Sequence, residues 1–259
     1  MLFSSPIPFQ DALDSRKVKA LLPTALSSAE LAKIEPQILE RSLFSARTTS
    51  AEYLQTVGDN LDEILAGKTD FATSRLDLKK RLGEIGYAPE GVGGGITDLS
   101  SDKRINLVLE MNTNFARGYG QWAQTQDEDV LDQFPCQELY RLEARKEPRD
   151  WLSRWRGAGG ELFEGRMVAK VNDGIWTEIS AFGIPYPPFD YNSGMWTRLV
   201  SRDEAIDLGM FPGGRGMIQT PESRGLNDLL TMSPDIRARA LISALVEVGY
   251  KFVEGVLSF

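Results

Sequence analysis

The stretch F-G-I-P-Y-P-P-F-D-Y-N-S-G-M, Phe182 to Met195, holds three prolines, two glycines and, beyond Phe182, three more aromatic rings. Proline removes a backbone donor, fixes φ and pushes the preceding residue toward an extended conformation. The stretch is therefore neither helix nor central strand. Each ring offers a large area to bury, so such a segment is expected to lie pinned across a domain face. It marks an irregular small domain inside a chain that otherwise reads as helical.

Upstream of it, Ser100 or Ser101 is placed to cap the most regular helix of the chain. Ile105, Val108, Leu109, Asn112, Phe115, Ala116, Tyr119 and Trp122 share one face at helical spacing. Asn112 interrupts that apolar stripe. A buried amide must be hydrogen-bonded, so Asn112 is expected to find a partner elsewhere in the fold, with the Pro-aromatic backbone as the candidate. Arg117 lies off the stripe. Asp127 to Asp132 reads as a solvated acidic loop and Leu139 to Leu142 as extended chain. In E-A-R-K-E-P-R-D-W-L-S-R-W, Glu143 to Trp155, a short helix is expected after Pro148, with Trp151 and Trp155 on one side. Arg166 to Asn172 reads as a strand and Ile175 to Ala181 as one helical segment.

Residues 9–86 read as consecutive helices: Gln10 to Leu22, a second opening at Ser27 or Ser28, a third from Ser50 to Ala66, and a fourth from Leu76 to Ile85. The second continues past Pro36 through Ile38, Leu39, Ser42, Leu43 and Ala46. Gly67 and Gly86 are placed as C-terminal caps. Pro89 to Ile96, with G-V-G-G-G, is the clearest linker; a phosphate-cradling loop there would need a preceding strand and a Lys-Ser/Thr pair. Past the Pro-aromatic stretch, Ser201 to Glu204 forms a capping box and Gly209 a C-terminal cap. Ser233-Pro234-Asp235 opens a last helix with Ile236, Ala240, Leu241, Ala244, Leu245, Val248 and Phe252 on its apolar stripe. That helix would dock on its own domain or on a neighbouring subunit of a homo-oligomer. The expected fold is α+β and predominantly helical: a helical N-terminal region over 1–97, a small mixed domain over 98–212 and a C-terminal helical arm over 213–259.

A net charge of −8 and an isoelectric point near 4.8 argue against broad nucleic-acid binding, which needs a basic surface to neutralise phosphates. Histidine is absent and Cys136 is the single cysteine, which excludes a Ser-His-Asp triad, a Cys-His dyad, an internal disulfide and a Cys/His zinc site. No cofactor is expected. Met1 to Phe9 lacks the positive start of a signal peptide, and no apolar run approaches membrane-spanning length, so neither secretion nor a membrane is expected.

Two enzymatic readings use oxygen chemistry alone. Glu143, Glu147 and Asp150, beside Arg145 and Arg149, could form a general acid/base pair. Asp173, Asp190 and Asn192 could hold calcium or magnesium. Against them stands an ion-pair ladder among the same charges. A further reading makes Arg145, Arg149, Trp151 and Trp155 a partner-binding face, since arginine and tryptophan are enriched in interface hot spots.

Three blocks carry a resemblance: N-T-N-F-A-R-G-Y-G-Q-W (Asn112 to Trp122), Y-R-L-E-A-R-K-E-P-R-D-W (Tyr140 to Trp151), and Ile175-Trp176 followed by Y-P-P-F-D-Y-N-S-G-M (Tyr186 to Met195). In order and spacing, Ile105 to Met195 resembles the head-morphogenesis domain of tailed phages, the Mu F-like minor head protein family, in a prophage-encoded branch. The resemblance implies a minor capsid protein of the virion, assembled in the bacterial cytoplasm, associating with the portal and other capsid proteins, and not catalytic. It marks Asn112, Arg117, Trp176, Pro187, Pro188, Phe189, Asp190 and Asn192 as the structural motif. The family's histidine is Trp151 here, and its His/Cys cluster is Asp190, Ser193 and Met195, so no metal or redox role carries over. The alternative is a carboxylate-based enzyme or effector carried in the phage head.

Overall fold

A computed structural model describes residues 8–17, 19–25, 27, 31, 40–43, 45–89, 91–212, 216, 218–223, 230–231, 243, 246, 251–253 and 256–258. Among them the protein is mixed α and β and mostly helical, with eight helices and a small three-stranded antiparallel sheet at its centre of interest. Two compact units are present, Met1–Ala116 with Gly225–Phe259, and Arg117–Arg224. The expected boundary at residue 97, in the glycine-rich stretch, is not where the units divide. They divide inside a helix that continues unbroken through the boundary.

In the first unit, α1 (Gln10–Lys17) is followed by β1 (Ala20–Leu21), which pairs in parallel with β2 (Ser42–Leu43). The helices expected over Gln10 to Leu22 and across Ser42 and Leu43 are corrected here. Leu22 donates to Leu43 O at 2.9 Å and Thr24 to Thr48 O at 2.7 Å, a non-local pairing that overrides local periodicity. Ser28, Glu30, Pro36, Ile38 and Leu39 lie outside the described residues. Helix α2 (Ala51–Leu65) is capped by Ser50, whose hydroxyl accepts from the Tyr53 amide. Helix α3 (Phe71–Glu84) begins five residues earlier than its apolar pattern indicated, because Asp70 caps it. Tyr53, Val57 and Leu61 of α2 pack with Leu78 and Leu82 of α3 and with Ile105 and Leu109 of α4 (Asp102–Thr125).

The glycine-rich stretch is built around Asp98, whose carboxylate accepts from the amides of Gly94 (2.7 Å) and Ser100 (2.8 Å) and from the Ser100 hydroxyl (2.7 Å). Those donors hold the Asp98 carboxyl below the usual carboxylate range, the Gly94 amide first. The loop thus closes on an internal anion. Ser101 is the residue that caps α4, accepting from the Arg104 amide at 3.1 Å.

At the far end of the chain, Phe252, expected on a helical stripe, lies in β7 (Lys251–Val253). β7 pairs with β8 (Val256–Ser258), which pairs in turn with β6 (Leu230–Thr231). The helical arm is corrected at these residues: Lys251–Val253 and Val256–Ser258 pair as antiparallel strands, which the apolar spacing obscured. Ile236, Ala240, Leu241, Ala244, Leu245 and Val248 lie outside the described residues.

In the second unit, Asp127 to Asp132 is not a loop. Asp127 caps α5 (Glu128–Gln133), accepting from the amides of Asp129 and Val130. The sheet has the order β4-β3-β5, all antiparallel: β3 (Cys136–Arg141) is central, between β4 (Met167–Lys170) and β5 (Met195–Val200). The sequence reading found β4, caught only the C-terminal half of β3 in its Leu139 to Leu142 extended chain, and missed β5. Helices α6 (Trp151–Gly157), α7 (Ile175–Glu178) and α8 (Arg202–Asp207) complete the unit; Ser201 caps α8, but the other half of the expected capping box does not form, because the Glu204 carboxylate pairs with Arg166 and Arg198.

Candidate functional site

The site is assembled on an aromatic floor. Trp155 of α6, Trp176 of α7 and Phe189 are fully buried, with ring centroids 5.4 Å and 6.0 Å apart in that order. A buried indole N–H usually finds an acceptor, and two of the three buried indoles packed here do, Trp151 being the exception. Trp155 Nε1 donates to Glu161 O at 2.8 Å and Trp176 Nε1 to Lys170 O at 2.7 Å. Gly160 is required beside them, because a Cβ there would strike the Trp155 ring and Ile175.

Across this floor runs the Pro-aromatic stretch, buried from Ile184 through Phe189. Its Pro187–Pro188 bond is cis. Tyr186 meets Tyr119 edge-on at 5.7 Å and lies 6.0 Å from Trp122, both on α4. Gly118, on the same helix, passes directly under the Pro187 carbonyl. The expectation that the stretch lies pinned across a face therefore holds.

Asn112 is not what pins it. Its amide donates to Val108 O at 2.8 Å, one turn back in its own helix, and the side chain is only half-buried. A short amide in a helix is within reach of the i−4 carbonyl, and here that local bond wins. Arg117 is exposed.

Downstream of the prolines, residues 190–194 draw in four guanidinium groups. Arg141 Nη1 donates to Ser193 O (3.3 Å) and Arg145 Nε to Asn192 O (3.0 Å). Arg149 Nε and Arg154 Nη1 lie 3.4 Å and 2.9 Å from the same oxygen, Asp190 Oδ2. The amides of Leu142 and Glu143 both donate to Gly194 O. Gly194 has φ 64°, and a Cβ there would press on Glu143 O and Arg145, so glycine is needed twice over. The result is an arginine-lined edge held by the backbone carbonyls of Asn192 and Ser193 and by the Asp190 carboxylate; of the expected ladder, the Glu143–Arg145 pair forms.

The two tryptophans proposed for a partner-binding face are corrected. Trp151 is 3 % exposed and Trp155 fully buried. Their ring area is worth more inside the domain than at its surface. The segment exposes Leu142, Lys146, Arg149, Leu152 and Arg156 together with the carboxylates Glu143, Glu147 and Asp150. Arg141 and Arg154 were missed as members of the site. The available signal was their flanking of the Arg145/Arg149 pair, but the acceptors opposite them lie far along the chain.

The carboxylates are already engaged. Glu143 pairs with Arg145 at 2.7 Å. Asp150 caps α6, and hydrogen bonds from the Ser153 hydroxyl (2.6 Å) and amide (2.9 Å) hold its carboxyl below the usual range, the opposite of what a general acid needs. Glu147 is exposed. Of the oxygen-ligand trio, Asp173 accepts from the Ile175 amide and Asp190 is held by arginines. Among the described residues no three His, Cys, Asp or Glu side chains group as a metal site.

On the sheet, Arg166 and Arg198 alternate with Glu138 and Glu204 in a closed ring of ion pairs, at 2.6–3.2 Å. Burial alone would raise the Glu204 carboxyl; the hydrogen bonds from Arg166 and Arg198 outweigh it and bring the group below its ordinary value. Glu204 therefore serves this ring. Cys136 lies buried in β3, where desolvation pushes its thiol up to about 12. No described helix is long and apolar enough to cross a membrane. Compared with known proteins, the chain matches no family model, no curated protein and no solved structure.

Proposed function

We propose that this chain is a minor structural protein of a tailed-phage or prophage head, with a head-morphogenesis-like domain, that joins the portal and other capsid proteins during assembly. One observation carries the reading. Within Arg117–Arg224, two of the sequence blocks behind the resemblance each meet the third: Tyr119 and Trp122 meet Tyr186, and Arg145 and Arg149 meet Asn192 and Asp190, while Trp176 meets Phe189 inside the third block itself. A shared architecture gives separate blocks a reason to keep their order and spacing. The same edge favours a binding role over the carboxylate-enzyme alternative, since Glu143 and Asp150 are tied to structural partners. Exposed arginine next to exposed leucine is a surface suited to a protein partner.

Co-expression with a tailed-phage portal protein, followed by affinity capture and size-exclusion chromatography, tests the reading. A stable complex that Arg149→Gln weakens, with native tryptophan fluorescence retained, is the expected result. A chain that never co-purifies with portal or capsid proteins, and is missing from purified virions, would overturn it.

A further inference from the structure

Arg149 and Arg154 share one oxygen of Asp190, and the other, Oδ1, accepts the Tyr191 amide at 2.7 Å. The Asp190 side chain is 16 % exposed, against 46 % for Arg149 and 30 % for Arg154. One shielded negative charge thus faces two cations that reach solvent. A guanidinium has five N–H donors in a planar fork, and each of these two directs a single nitrogen at Asp190. Arg154 also lies over the Trp151 ring, 4.8 Å from its centroid, and Trp151 is itself buried. The ring fixes that guanidinium in place, so little rotamer entropy remains to be lost on binding. Leu152, 40 % exposed, stands between the two arginines in sequence, on the first turn of α6.

We propose that the Arg149–Arg154 pair, bridged by Asp190, is a receptor for a second carboxylate, supplied by an acidic side chain on a protein partner. It would accept the incoming group through the outward N–H donors, the geometry in which arginine binds carboxylates bidentately. Leu152 gives an apolar neighbour of that side chain a place to pack. A polyanion fits less well. Glu147 and Asp150 are exposed on the same segment, and the chain carries a net charge of −8, so successive phosphates would meet repulsion. The inference deepens the partner-binding reading above and commits it to one chemistry.

The test uses the full chain at physiological salt, titrated with a capped Ala-Leu-Glu-Ala peptide and, in parallel, with capped Ala-Leu-Gln-Ala, inorganic phosphate and a short DNA duplex. The readout is the side-chain Nε–Hε NMR signals of Arg149 and Arg154. Saturable shifts of both with the glutamate peptide alone, weakened about tenfold by Arg149→Gln while Trp fluorescence stays native, are expected for loss of one charge-assisted pair. The absence of a saturable shift, equal binding by Arg149→Gln, or tighter binding of DNA or phosphate would each overturn the proposal. Should the peptide bind while the portal complex fails to form, the carboxylate site stands and the phage assignment falls. The reverse pattern separates them the other way.

Discussion

Gly118 lies so close beneath the carbonyl oxygen of Pro187 that a Cβ on that helix would overlap it. The obstacle is backbone, which cannot swing aside as a flexible side chain would. Gly118→Ala should therefore destabilise the second unit by about 2–3 kcal/mol, the range for overpacking a tight contact, despite alanine's better helix propensity. Urea unfolding followed by tryptophan fluorescence measures it, and a gain in stability would mean that the helix and the Pro-aromatic stretch do not touch this way.

Asn112→Leu has the contrary expectation. The Val108 carbonyl that Asn112 caps keeps its place in the helix ladder, so removing the amide strands no buried partner. The change should alter stability by less than about 0.5 kcal/mol. A loss several times larger by calorimetry would show that the amide has a partner beyond its own helix.

For the aromatic floor, Trp176→Ala removes a fully buried ring and leaves the Lys170 carbonyl without its donor. The expected cost is about 3–5 kcal/mol, enough to unfold the unit in part at ordinary temperature. Near-UV circular dichroism should collapse, and a retained spectrum would argue against the stacked arrangement with Trp155 and Phe189.

The local features were legible in the sequence, and the exceptions have separate causes. Caps such as Ser50, Ser101 and Ser201 act within one turn, so residue type and spacing reveal them. The burial of the Pro-aromatic stretch follows from its rings. The arginines' true partners did not show, because Asp190, Asn192 and Ser193 are remote in sequence and two of the three contribute only backbone carbonyls, which carry no side-chain signature. β5 was overlooked because Trp196 and Leu199, apolar yet only half-buried, blur the alternation. Trp151 and Trp155 were assigned to the surface from hot-spot statistics, whereas ring area decided for the core.

Cys136 offers a chemical check. Its thiol is raised by burial to about 12, so the unfolded chain, with an ordinary thiol near 8.5, loses its proton first. A raised value contributes stability that is complete below the unfolded pKa and fades as pH climbs toward the folded one. Iodoacetamide at mildly alkaline pH should leave the native protein unmodified and alkylate it at once in urea, as mass spectrometry would read. Rapid native labelling would mean that β3 is open.

Asp98 has the opposite sign. Its carboxyl is lowered by the Gly94 and Ser100 donors, so its contribution is present above the unfolded value near 3.9 and is lost as pH falls through the lower folded one. Hydrogen exchange at the Gly94 and Ser100 amides should stay protected at neutral pH and lose protection selectively in acid. Asp98→Ala should remove that protection at every pH. If the amides exchange freely in the wild type, the carboxylate does not organise the loop.

The central position of β3 sets a condition on synthesis. It is translated before either strand that flanks it, β4 at Met167–Lys170 and β5 at Met195–Val200. At ribosomal speed the nascent strand waits on the order of seconds with both edges unpaired. Such edges are templates for the wrong neighbour. Glu138 and Arg141 put opposite charges on that waiting strand, and a chain stalled before β5 has emerged should be far more prone to aggregate than the finished one.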